Sequence, residues 1–139
     1  MRLSILLILT MLLASCASWQ NDETLFEDIG GKQKIARVFG VAVQKIYADP
    51  ILAKQFDGVP KRHIHEMLSK QSCELIGGSC KYDGMTMPES HKGLNITEEE
   101  FYLLVEYVQQ AMREEGLTFQ QENLIIRHLA PMKKDIVRL

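Results

Sequence analysis

The chain has 139 residues, 46% of them hydrophobic and 24% charged, and sixteen Lys and Arg against eighteen Asp and Glu leave a formal net charge of −2. That length and composition describe one domain with one core. They exclude a polycationic nucleic-acid binder, a disulfide scaffold, a repeat array and a disordered chain. The first element is a short apolar run. Arg2 precedes eleven residues, Leu3 to Leu13, in which only Ser4 and Thr10 are polar. As a helix this run is about 16 Å long, too short for a bilayer core of roughly 30 Å. A charged start, a short apolar stretch and small residues after it describe an export signal over residues 1–15.

That stretch ends Leu13-Ala14-Ser15-Cys16, which resembles the bacterial lipobox. The resemblance implies that Cys16 is lipidated and that the chain is cut just before it. Residues 16–23 then form a lipidated Cys and tether, and the domain proper runs over 24–139. Ala17, rather than Asp, follows Cys16. By analogy this favours an envelope protein facing the periplasm, held to the outer membrane of a Gram-negative bacterium. A plain secretory signal with an incidental Cys is the alternative. Cys73 and Cys80 remain, seven residues apart across Gly77-Gly78. In an oxidising compartment they either pair or stay as two free thiols.

The rest of the chain reads as helices. Thr24 is the expected cap of a short helix ended by Gly30-Gly31. From Lys32, the positions Ile35, Val38, Phe39, Ala42, Val43 and Ile46 make one buried helical face, broken at Asp49-Pro50. Ile51, Leu52 and Phe56 form a short apolar turn. Residues 60–76 predict a second helix, with Pro60 in its first turn and Ile64, Met67, Leu68, Gln71 and Leu75 on one face. Residues 79–90 read as a loop. Thr97 with Glu100 makes a capping box that opens a helix with Phe101, Leu104, Val105, Val108 and Met112 inward. A last helix is expected over 118–137, kinked at Pro131. The fold class is all-α.

Sequence motifs for phosphate loops, zinc proteases and serine hydrolases are absent from the chain. His63 and His65 are two apart, so they point to different helix faces and read as solvated. His128 reads as a packed or surface residue. His91 differs, because it follows a loop and Gly93 comes two residues later. A histidine on a short segment facing broad apolar helices is what a haem iron requires, although a surface histidine beside a turn fits the same pattern.

From Leu25 to Val137 the chain resembles the group 1 truncated haemoglobins, short globins built as a two-over-two helical sandwich enclosing haem. The matching segments are Leu25-Phe26-Glu27-Asp28-Ile29-Gly30-Gly31, Ala48-Asp49-Pro50, Phe56-Asp57-Gly58-Val59 and Gly77-Gly78. Tyr82, Gly84, Met87, His91, Gly93 and Leu94 follow at the family's spacing, as do Ile96, Thr97 and Phe101. The end, Leu129-Ala130-Pro131 with Lys134 to Val137, also fits.

The resemblance implies haem b, with His91 as the proximal iron ligand and Phe56 against the haem face. It implies pocket walls from Leu52, Met87, Ile96, Phe101 and Leu104, and places Lys81 and Tyr82 near a propionate edge. On the distal side the chain departs from the family. A Phe-Tyr pair common in the family falls on Ala42 and Val43, and a frequent Gln falls on Leu68. Phe39, Ile64 and Met67 complete an apolar distal wall. Gln71 is the polar side chain on that face, and Tyr47 lies four residues from the family's Tyr position. Met67 either packs in the pocket or reaches iron through its thioether. A buried donor to a dioxygen ligand is worth about 1–3 kcal/mol, so its loss makes a poor oxygen store. The implied function is reversible binding of O2, NO or CO. The alternatives are a haem-free interaction module, a haem redox or peroxidase-like protein, and a haem-transfer protein.

Overall fold

The computed structural model describes residues 22–138. The export segment and Cys16 lie outside the described residues. Six α-helices follow in order: α1 Asp22–Asp28, α2 Gly31–Ala48, α3 Lys61–Leu75, α4 Met87–His91, α5 Glu98–Glu114 and α6 Phe119–Leu129. Two 3-10 segments, Ala53–Phe56 and Ala130–Asp135, join α2 to α3 and close the chain. Among the described residues no helix is long and apolar enough to cross a membrane.

The helical face expected on α2 is the centre of the molecule. Ile35, Val38, Phe39, Ala42, Val43 and Ile46 are all buried. α2 packs across both α3 and α5, α3 also packs on α6, and α5 on α6. Two helix pairs therefore cross as layers, which is the two-over-two sandwich. Gly30 and Gly31 start α2 with φ of +97° and +63°, left-handed values that a side chain would resist. α2 ends where Asp49 turns the chain: its Oδ1 accepts from the backbone N–H groups of Ile51 (2.8 Å) and Leu52 (3.0 Å). Its Oδ2 accepts from the Tyr107 hydroxyl at 2.7 Å, which ties this turn to α5.

At the far end of α3 the chain reverses around a disulfide between Cys73 and Cys80, with Cα atoms 5.8 Å apart. Of the two readings of these thiols, the paired one is found. Gly78 lies inside this loop against Phe26 and Cys73. A Cβ there would stand 2.5 Å from the Phe26 ring and 2.6 Å from the Cys73 sulfur. Glu122 of α6 is 1% exposed. Its Oε1 accepts from Arg113 and from Gln109, both at 2.9 Å, so the buried carboxylate bolts α6 to α5.

Four expectations shift. The first helix begins at Asp22, so Thr24 lies within it and not at its cap. Pro60 precedes α3 as its cap residue, and α3 ends at Leu75. Part of the expected loop over 79–90 is helical, because Thr86 and Glu89 form a capping box that starts α4. The last helix stops at Leu129 and continues as a 3-10 segment. Pro131 has no N–H to donate, and the tighter 3-10 turn accommodates it.

Candidate functional site

The site begins with the five residues of α4. So short a helix is not stable alone, and local bonds hold it. The Glu89 carboxylate accepts from the Thr86 N–H at 3.0 Å and from the Thr86 hydroxyl at 2.7 Å. These two bonds, hydroxyl first, hold the Glu89 carboxyl below its ordinary range. The final 3-10 segment packs behind α4. That segment is itself anchored on α5: Lys133 Nζ lies 2.8 Å from Glu98 and 2.9 Å from the Tyr102 hydroxyl. The Arg138 N–H donates to the Ile96 carbonyl at 2.9 Å.

His91 is the last residue of α4 and is half-buried. Its Nδ1 stands 2.9 Å from the Met87 carbonyl oxygen and 2.9 Å from Ser90 Oγ. A carbonyl only accepts, so the proton sits on Nδ1 and Nε2 keeps its lone pair. The ring is therefore oriented and its outer nitrogen is available as a ligand to a metal. Ser90 was not legible as part of this site, although a hydroxyl beside a histidine is a signal of this kind.

α3 is the second element of the candidate site. Ile64, Met67, Leu68 and Gln71 share a face and are all half-buried, while burial is complete only toward Ser72 and Cys73. α5 repeats the pattern: Phe101, Leu104 and Val105 are half-buried, and Val108, Ala111 and Met112 are buried. Each of these two helices thus grades from a closed core to apolar side chains that the protein covers only in part. Phe39, Val43 and Leu52 are 3%, 3% and 2% exposed and Ile96 is 8% exposed, so these residues lie deeper than the half-buried walls.

Phe56 is half-buried and packs against the core. Its ring centroid is 5.3 Å from that of Tyr47. The Tyr47 hydroxyl donates to the Val59 carbonyl at 2.8 Å, and burial pushes that hydroxyl above its ordinary pKa. Tyr47 therefore steadies Phe56, a role that sequence reasoning missed because the two are nine positions apart. Gln55, next to Phe56, donates to Glu100 at 2.9 Å and so fixes the 3-10 turn to the start of α5.

Gln71 does not stand free on its wall. Its Nε2 lies 3.6 Å from the Met87 sulfur, a contact that crosses from α3 to α4. Met87 is half-buried and Lys81 is exposed. Tyr82 is half-buried, and its hydroxyl donates to the Met85 carbonyl at 2.8 Å. Burial, and then the charge of Asp83, raise the Tyr82 pKa. His65 departs from its expected solvated state: it is half-buried, with Nε2 2.7 Å from the Ala36 carbonyl oxygen. His63 is exposed. Among the described residues no group of three or more His, Cys, Asp or Glu could hold a metal ion.

Comparison with known proteins agrees with this architecture. A group 1 truncated hemoglobin of Tetrahymena pyriformis is 24% identical over 115 residues, covering 83% of this chain and 95% of that protein. The crystal structure of truncated hemoglobin from the same organism, in its Fe(III) form, superposes with a TM-score of 0.79 at 23% identity, over 83% of this chain and 98% of that one. The 2/2 hemoglobin of Synechococcus, solved in the cyanomet state with covalently attached heme, superposes with a TM-score of 0.75 at 15% identity, over 81% of this chain and 97% of that one. The profile of the bacterial-like globins matches residues 24–138, from the first helix through the final 3-10 segment. Sequence profile and helical sandwich thus coincide over one stretch of chain, and the protein belongs to the bacterial-like globin family.

Proposed function

We propose that this chain is a haem-binding truncated globin that takes a small gaseous ligand at the iron, with His91 as the protein ligand. The observation that carries the reading is the His91 ring. Its Nδ1 is committed to the Met87 carbonyl at 2.9 Å, which leaves Nε2 as a lone-pair donor, and the facing sides of α3 and α5 carry apolar residues that are only half-buried. That donor set fits haem, which needs one imidazole nitrogen and apolar surface on both faces. Phe56, Ile64, Met67, Leu68, Met87, Phe101 and Leu104 would hold the macrocycle, and Lys81 would stand near its charged edge. When bound, haem supplies an iron that accepts a diatomic molecule.

This chain's own residues then set selectivity. Val43, Ile64 and Leu68 offer no hydrogen bond to a ligand, and the Gln71 amide is engaged with Met87. A ligand that draws negative charge as it binds, such as dioxygen, gains nothing from these side chains; carbon monoxide loses nothing. The reading extends to the cell envelope through the export signal and the lipid on Cys16, which the Leu13-Ala14-Ser15-Cys16 pattern supports.

The test is an absorption spectrum of residues 17–139 produced with haem available, ferric and ferrous, beside His91→Ala. A stoichiometric Soret band that weakens or shifts in the variant is expected. No haem uptake, or a band indifferent to His91, overturns the proposal and favours a haem-free interaction module.

A further inference from the structure

The chain that runs from α3 to α4 is strapped back onto the last part of α3. Lys70 Nζ lies 3.0 Å from Asp83, and the Glu74 carboxylate accepts from the Tyr82 N–H at 3.3 Å. Gln71 Nε2 is 3.6 Å from the Met87 sulfur, and Cys73 is bonded to Cys80. Three of these four contacts are weak. The ion pair is open to solvent and Lys70 shares it with Glu66 at 2.9 Å, while the other two are long. The strapped segment also buries little of itself: Lys81, Asp83, Gly84, Met85 and Thr86 are exposed, and Tyr82 is half-buried. A segment with so little apolar burial opens at low cost unless a covalent bond holds it.

The two ends of the disulfide differ. Cys73 is 0% exposed and part of the core, with the Gly78 N–H donating to its carbonyl at 2.8 Å. Cys80 is half-buried and lines the open groove between α2 and α3. The bridge thus ties a fixed point of the core to the start of the segment that leads, eleven positions later, to His91. α4 keeps two supports of its own, the Thr86–Glu89 box and the final 3-10 segment behind it. Opening the bridge therefore loosens the approach to His91 without dissolving the helix that carries it.

We propose that the Cys73–Cys80 bridge is a reducible tether on the haem site: a protein dithiol opens it, the segment 80–86 comes away from α3, and haem held through His91 is released faster. The proposal rests on the haem-binding reading above. In the step itself a thiolate of the dithiol attacks the sulfur of Cys80, the less buried residue, and the S–S bond breaks with Cys73 leaving as a thiolate. The second thiolate of the reductant then displaces Cys80 from the mixed disulfide. Cys73 and Cys80 take up two electrons and two protons, and the reductant is oxidised to its own disulfide. The bistable element is the segment between the bridge and α4, docked when oxidised and loosened when reduced.

The experiment uses residues 17–139, which include every described residue. Three forms are compared: oxidised wild type, wild type reduced with dithiothreitol and desalted under argon, and the double variant Cys73→Ser, Cys80→Ser. Amide hydrogen exchange is read first, because it does not depend on haem. Amides over 81–91 are expected to lose protection in the reduced form and in the variant by more than those of α2 and α6. Haem transfer to an apoglobin acceptor, followed at the Soret maximum, is expected to speed up about threefold to tenfold. Both changes are expected to reverse when reduced wild type is reoxidised with glutathione disulfide. Unchanged protection, or a loss spread equally over α2 and α6, overturns the proposal. Haem that binds and leaves at one rate in all three forms overturns it too, and leaves the haem reading standing; no haem uptake by the oxidised chain overturns both. Far-ultraviolet circular dichroism checks the fold of each form, and reduced wild type carries the test should the variant not fold.

Discussion

His91 Nδ1 lies 2.9 Å from the carbonyl oxygen of Met87, four residues earlier at the start of the same helix. The contact uses the one donor of a neutral imidazole to fix the ring against its own backbone. α4 is five residues long, and this bond together with the Thr86–Glu89 box gives it a single conformation. The side chain proposed to hold iron is therefore set by local chemistry, while the 3-10 segment behind α4 sets its depth.

Ser90 supplies the second contact to the same nitrogen, at 2.9 Å. Ser90→Ala removes it and leaves the Met87 bond in place. Haem uptake is expected to persist, with haem loss to an apoglobin acceptor faster by about twofold to tenfold. The rate is followed at the Soret maximum. An unchanged rate would mean that Met87 alone orients the ring.

The apolar wall of α3 makes a prediction about ligand preference. Leu68→Gln places a donor where the family often has one. Dioxygen release is expected to slow by about tenfold or more, with carbon monoxide release changed by less than about twofold. Flash photolysis and stopped-flow mixing measure both. Gln71→Leu is expected to leave dioxygen release nearly unchanged, because the amide already faces the Met87 sulfur at 3.6 Å. A large acceleration would show that Gln71 turns toward the ligand.

The Cys73–Cys80 bridge closes a loop of sequence separation seven. A loop this short restricts the unfolded chain only modestly, so reduction or the Cys73→Ala, Cys80→Ala double variant is expected to cost about 2 kcal/mol. Thermal melts with and without dithiothreitol measure it. A melt indifferent to reductant in the wild-type chain would mean that the bridge is not formed in solution.

Asp49 has a pH signature. The Tyr107 hydroxyl, and then the Leu52 and Ile51 N–H groups, hold its carboxyl below the usual 3.8 against a smaller opposing effect of burial. A carboxyl whose pKa is depressed on folding binds fewer protons in the folded than in the unfolded state around that pH. Its contribution is complete above the unfolded value and is lost as pH falls through the lower folded value. Asp49→Asn keeps an acceptor but removes the titration. The variant is expected to be less stable than wild type at pH 7, with the difference narrowing toward pH 3. Urea denaturation at both pH values reads this, and a difference independent of pH would assign the effect to the bond alone.

Much of this protein was legible before any coordinates. The apolar positions of α2 recur at steps of three and four, and such a pattern can be buried only as one helical face. Thr97 begins α5 as its cap, because a hydroxyl followed three residues on by Glu satisfies orphan N–H groups locally. His91 stood out through the family resemblance that Tyr82, Met87 and Gly93 carry. Contacts between residues distant in sequence were not legible. Tyr47 on Phe56, Gln71 on Met87, and Gln55 on Glu100 each join different elements, and no periodicity encodes which residues meet. Local hydrogen bonding and hydrophobic period are properties of neighbouring residues, and the sequence by itself determined those. The partner of each half-buried side chain depends on how the helix layers cross, which only the tertiary structure decided.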